Sequence, residues 1–217
     1  VVQSKWFATV VVESPDSTVA EQLQQLAIVD SVKWIWKGNL RVPAEEKRED
    51  RFVSEDEPLH NEYGYSYKQI KMLNGTKLHE AGFRGEGMRV AVIDAGFMNA
   101  DRVSAFDSLR LLGTHNVVFP GKSVFVGDDH GTKVLSCLAA DIPGVMVGTA
   151  PKASYLLLKS EDSDSEYPVE EDYWTAAVEY ADSAGVDVIS SSLGYFAFDT
   201  DELSYDQDAL DGRTAMI

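Results

Sequence analysis

Two residues with proton-handling side chains sit where the chain would project them from regular structure. Asp94 ends the apolar run "VAVID", and His130, thirty-six residues on, opens the small-residue stretch "HGTKVLSCLAA". An aspartate closing an apolar strand is poised for chemistry, and Gly96 lets the backbone turn sharply away from it. Phosphoacceptor aspartates, ribose-binding acids and ordinary turn residues share this grammar, so Asp94 alone does not choose among them. His130 says more. Gly131 removes any side chain beside it and Thr132 can bond locally, so the imidazole would emerge at the first turn of a helix with room for a substrate backbone.

The elements that must hold these residues alternate in type. "MRVAVID" reads as a buried strand, "HGTKVLSCLAA" as a helix and "ASYLLLKS" as a strand. "EEDYWTAAVEYADSAG" reads as a helix ended by Gly185, and "VDVISSSLG" as a strand. Such alternation predicts an α/β parallel sheet with helices on both faces. Ligands of such sheets collect at the carboxyl ends of the strands, where Asp94 is expected.

Ahead of this lies a smaller α+β unit, residues 1–43. "KWFATVVVES" is rich in β-branched and aromatic residues and reads as a strand. Thr18 with Glu21 suggests a capping box, and Val19, Leu23, Leu26 and Ala27 share a helical face. "SVKWIWK" alternates as a second strand, Val32, Trp34 and Trp36 against Lys33, Ile35 and Lys37. Residues 44–62 follow as a charged linker without apolar periodicity. Residues 63–217 carry the alternating pattern.

Composition narrows the function. A chain of 217 residues, 44% of them hydrophobic, can bury a sizeable core. Its formal charge of -17 repels phosphate backbones and anionic membranes, so neither nucleic acid nor a membrane is an expected partner. The apolar runs fall well short of the roughly 20 residues of a membrane span. One cysteine, Cys137, excludes an intrachain disulfide framework. The start "VVQSKW" and the end "DGRTAMI" read as cuts within a longer precursor.

Four segments occur together in order: "GEGMRVAVIDAGF", "HGTKVLSCLAA", "VGTAPKASYLLLKSED" and "DYWTAAVEYADSAGVDVISSSLG". In that order and approximate spacing the chain resembles the subtilisin-like serine proteases over roughly residues 63–217, and most of all their secreted bacterial branch. The resemblance implies a serine endopeptidase with a triad in the order Asp, His, Ser. Asp94 would hold the ring of His130 in the correct tautomer, and His130 would take and return the serine proton. Ser191, Ser192, Leu193 and Gly194 match the family's edge strand, which pairs with the main chain of a peptide or protein substrate. A side chain at Gly194 would block the peptide. Residues 1–43 resemble the second half of the family's propeptide; the alternative is that these strands extend the catalytic domain. A secreted or cell-envelope location is implied, with no signal peptide in this sequence.

Some positions depart from the pattern. Ala95 replaces the hydroxyl residue that usually follows the aspartate and removes a local hydrogen bond, and Lys133 stands where many members carry a second histidine. The nucleophilic serine segment and the oxyanion asparagine do not occur before Ile217. They are expected beyond it, in a missing C-terminal half that would be this chain's partner, and 217 residues alone should be inert. Ser190, Ser191 and Ser192 would need a different fold to serve as nucleophile. His60, His79 and His115 read as ordinary exposed residues.

The loop "EDSDSEYPVEED" holds seven acidic residues. In the family this connection borders the substrate pockets, which suggests basic side chains as ligands; the alternative is a solvated loop whose carboxylates favour a helix N-terminus. Calcium is conceivable from the oxygen ligands, but no convincing ligand spacing is present, so no metal or cofactor is assigned. Two other functions compete. One is a peptide-binding fragment or pseudoprotease that does not cut. The other is a receiver-like domain phosphorylated on Asp94, for which Glu86 is the sole acid ahead of the strand.

Overall fold

In the computed structural model, residues 1–35 and 61–209 are described. The linker expected at 44–62 lies outside them except for Asn61 and Glu62, as do Trp36, Lys37 and His60.

The front segment differs from its sequence reading. Instead of one strand over Lys5–Ser14 it forms an antiparallel hairpin, β1 (Val2–Ser4) with β2 (Thr9–Val11). The turn is imposed from elsewhere in the chain: the Glu179 carboxylate accepts the Lys5 and Trp6 amides, both at 3.0 Å, and the Ser4 hydroxyl. Helix α1 (Val19–Gln24) starts after Thr18 as expected, but the capping box is absent. The Asp16 carboxylate accepts the Thr18 amide at 2.9 Å instead. Residues 32–35 form no strand; the Val32 amide bonds the Gln24 side chain.

Two short helices, α2 (Tyr67–Met72) and α3 (Gly75–Glu80), lead into the sheet. His79 on α3 is buried rather than exposed, its ring held between the Tyr63 hydroxyl at 3.1 Å and the Thr149 carbonyl at 2.9 Å. Strand β3 (Arg89–Asp94) follows, then β4 (Arg110–Asn116) and helix α4 (His130–Ala139). A small ribbon, β5 (Asp141–Ile142) with β6 (Met146–Val147), precedes β7 (Ser154–Lys159), helix α5 (Val169–Ser183) and β8 (Val188–Ser191). Four strands make a parallel sheet in the order β4-β7-β3-β8.

Alternation along β3 builds a core on each face. Val90 and Val92 pack with Leu135 and Ala139 of α4 and with Tyr155 and Leu157 of β7. Ala91 and Ile93 pack with Tyr173, Ala177 and Ala181 of α5 and with Leu156 and Leu158. Each fully buried aliphatic side chain contributes roughly 1.5–3 kcal/mol. Helix α5 stops where the sequence predicts: Gly185 takes φ +70°, its amide bonds Asp182 at 2.8 Å, and the Val186 amide reaches back to Ala181. Within the parallel sheet, the strand that sequence patterning does not reveal is β4. It lies at the sheet edge, carries Gly113 in its interior and shifts register between Leu111 and Gly113.

Candidate active site

Asp94 is the last residue of β3 and is fully buried, while His130 is the first of α4 with its side chain 52% exposed. Two glycines let these ends approach. A Cβ at Gly131 would lie 2.5 Å from the Gly96 carbonyl and 2.9 Å from the Asp94 Cβ, so only glycine fits. The Met98 amide donates to the Asp128 carbonyl, and the Thr132 hydroxyl donates to the Met98 carbonyl, both at 2.9 Å. The turn after β3 is thereby tied to the start of α4.

The result is a 2.7 Å contact between His130 Nδ1 and Asp94 Oδ1. The same oxygen accepts the Ala95 amide at 2.8 Å, while Oδ2 has no partner. Burial pushes the Asp94 carboxyl up, opposed by the bonds from His130 and the Ala95 amide. The Asp94 bond in turn holds the His130 imidazole above its ordinary range. Lys133 forms an ion pair with Asp129 at 2.8 Å, one turn along the helix, and its charge opposes the rise at His130.

A cavity of about 580 Å³ opens beside this pair, lined by His130, Ser192, Leu193 and Gly194 and by the acidic loop. Of the four residues expected to meet substrate, Ser191 ends β8 with its hydroxyl accepting the Trp174 indole N–H at 2.9 Å. The other three continue past the strand into the cavity wall, where a Cβ on Gly194 would enter open space.

Glu161 and Glu166 line the same cavity and Glu170 is buried beside them; sequence reasoning singled out none of the three. Glu161, Glu166 and Glu170 each place a carboxylate oxygen within 4.8 Å of the others, a spacing that a cation could bridge. Glu161 Oε1 accepts the Ser160 hydroxyl at 3.1 Å and the Tyr195 hydroxyl. Glu170 Oε1 accepts the Asp162 amide at 2.8 Å, but its Oε2 is buried without a partner. Burial pushes Glu161 up to about 7 and Glu170 up to about 9, and it also raises Asp162 and Glu166. The signal in sequence was the acid-rich loop itself; its convergence on one point requires the fold.

The chain combines an α/β parallel sheet with a carboxylate–imidazole pair at the end of an inner strand, and its sequence is similar to the subtilisin-like serine proteases. No protein-family model matches it. It is 32% identical to subtilisin E of Bacillus subtilis (strain 168) over 147 residues, 66% of this chain and 36% of that protein. It is 31% identical to the major intracellular serine protease of the same organism over 133 residues, 58% of this chain and 40% of that protein. The chain thus spans well under half the length of these relatives. Among solved structures it is similar to MycP1 with its N-terminal propeptide removed, at TM-score 0.44 and 22% identity, covering 62% of this chain and 37% of that one. It is also similar to the MycP3 protease from the type VII (ESX-3) secretion system, at TM-score 0.46 and 21% identity, covering 60% and 37%.

Proposed function

We propose that this chain carries the aspartate and histidine of a serine endopeptidase, with the nucleophilic serine and the oxyanion asparagine contributed from beyond residue 217. The supporting observation is the 2.7 Å bond from a fully buried Asp94 to Nδ1 of an exposed imidazole. With Nδ1–H donated to Asp94, the lone pair of His130 sits on Nε2, free to accept a hydroxyl proton. The serine oxygen then attacks the scissile carbonyl as its proton passes to Nε2. Asp94 stabilises the imidazolium so formed, and His130 returns the proton to the leaving amine. Ser191 to Gly194 would align the substrate main chain.

Residues 1–43 act in this reading as a propeptide-like segment, and the grip of Glu179 on the β1–β2 turn supports its docking on α5. A secreted or cell-envelope location belongs to the proposal through the subtilisins among the relatives. Among the described residues no helix is long and apolar enough to cross a membrane.

The test is intact-mass analysis of the whole gene product after exposure to a fluorophosphonate that labels activated serines. One label on a serine outside residues 1–217, lost in His130→Ala, is the expected outcome. An unlabelled product that binds peptides without cutting them would replace this reading with a non-catalytic one.

A further inference from the structure

We infer that the cleft beside His130 selects peptides bearing a cationic side chain, whose guanidinium or ammonium group seats on Glu161, Glu166 and Glu170. The inference rests on the endopeptidase reading and names the substrate class for that same site.

The cavity wall is chemically one-sided. Among the described residues it carries Asp128, Glu161, Asp162, Asp164, Glu166 and Asp199 and no lysine or arginine. Behind it, Glu170 is 1% exposed, and its Oε2 lacks any donor although one of its carboxylate oxygens lies within 4.8 Å of those of Glu161 and Glu166. A buried carboxylate oxygen without a donor is the costly case, and among the described residues no cationic side chain bonds it. Lys159, the buried amine of this region, lies within reach of the charges of Glu161 and Glu170 but gives its hydrogen bond to the Ala95 carbonyl. A guanidinium supplies five N–H donors in a planar fork, enough to reach an oxygen of each glutamate, and its charge would draw the raised Glu161 and Glu170 carboxyls back to their ionised forms. A metal ion would use the same oxygens. The cavity, however, runs on to His130 and Ser192–Gly194, which is space for an organic chain rather than for an ion.

The test is calorimetric binding to this chain of acetylated tetra-alanine amides carrying either arginine or its neutral isostere citrulline at each position in turn. At one position arginine should bind about tenfold or more tighter. That preference should fall to near unity in Glu170→Gln, which keeps an acceptor for the Asp162 amide, and in the more exposed Glu166→Gln, with far-UV circular dichroism unchanged in both. Equal affinity at every position, or binding of neither peptide, overturns the inference. So does saturable calcium binding that abolishes the arginine preference, since it would assign the carboxylates to a metal. Cleavage separates this inference from the reading beneath it. A gene product that cuts both peptide series equally keeps the endopeptidase and loses the cation pocket, and an arginine preference in binding without any cleavage does the reverse.

Discussion

Asp94 and Glu170 are both carboxylates removed from water beside residues that line one cleft, and the chain surrounds them with different partners. Asp94 ends a central strand with a peptide amide and an imidazole on the same oxygen. Glu170 opens a helix with one amide on one oxygen and nothing on the other, among acids of the same sign. In the first carboxylate, donors built into the fold oppose the upward push of burial, although its Oδ2, like Oε2 of Glu170, has no partner among the described residues. The second is pushed toward its neutral form and waits for charge from outside. Burial alone therefore does not mark the acid that works with His130; what distinguishes it is the donor set around it.

Three perturbations sharpen this contrast, taken from the largest effect downward. On the proposed endopeptidase reading, Asp94→Ala should lower turnover by the whole gene product roughly 10⁴-fold, with smaller change in substrate affinity. In the present chain it should bring the His130 pKa down, read from the imidazole proton and nitrogen shifts across a pH titration. An unchanged His130 titration would break the pairing of these two residues.

Gly131→Ala should destabilise by about 1–3 kcal/mol, because its Cβ would press against backbone at Gly96 and against Asp94. Thermal unfolding measures this, and the same variant should disturb the His130 resonances. Gly194→Ala, which meets open space, serves as the control and should leave stability unchanged.

The mildest effect, counted per pH unit, belongs to Glu170→Gln. The folded carboxyl titrates at about 9 against an ordinary 4.5, so between those values the native state holds a proton that the unfolded chain has released. Stability must then fall as pH rises through that window, by at most about 1.4 kcal/mol per pH unit for one such group. Glu161, at about 7, adds in the same direction up to neutrality. The glutamine variant should flatten the pH dependence of the denaturation midpoint above pH 5. An equally steep profile in the variant would show that Glu170 is not the strained acid.

Much of this arrangement is legible in sequence because it is local. Val90 to Asp94, His130 to Ala139, Ser154 to Lys159 and the helix closed by Gly185 each carry their own apolar pattern and punctuation, and all form where they are read. Features that depend on distant partners were not legible. The bend between Ser4 and Thr9 is set by Glu179, far along the chain. The burial of His79 depends on Tyr63 and Thr149, and β4 is held at an edge by pairing that its own glycine argues against. The acidic loop shows the same division. Its composition is plain, whereas the meeting of Glu161, Glu166 and Glu170 is a product of how the loop folds onto the first turn of α5.

The clamp at Glu179 has an evolutionary corollary. It grips Lys5 and Trp6 through their main-chain amides, bonds one side chain, that of Ser4, and is drawn to the charge of Lys5. Selection acting through this contact can see the shape of the turn but not the identity of residue 6. The turn is therefore free to drift at that position, whereas Val2, Val11 and Ile35, which pack against the core beneath, are held by what they bury.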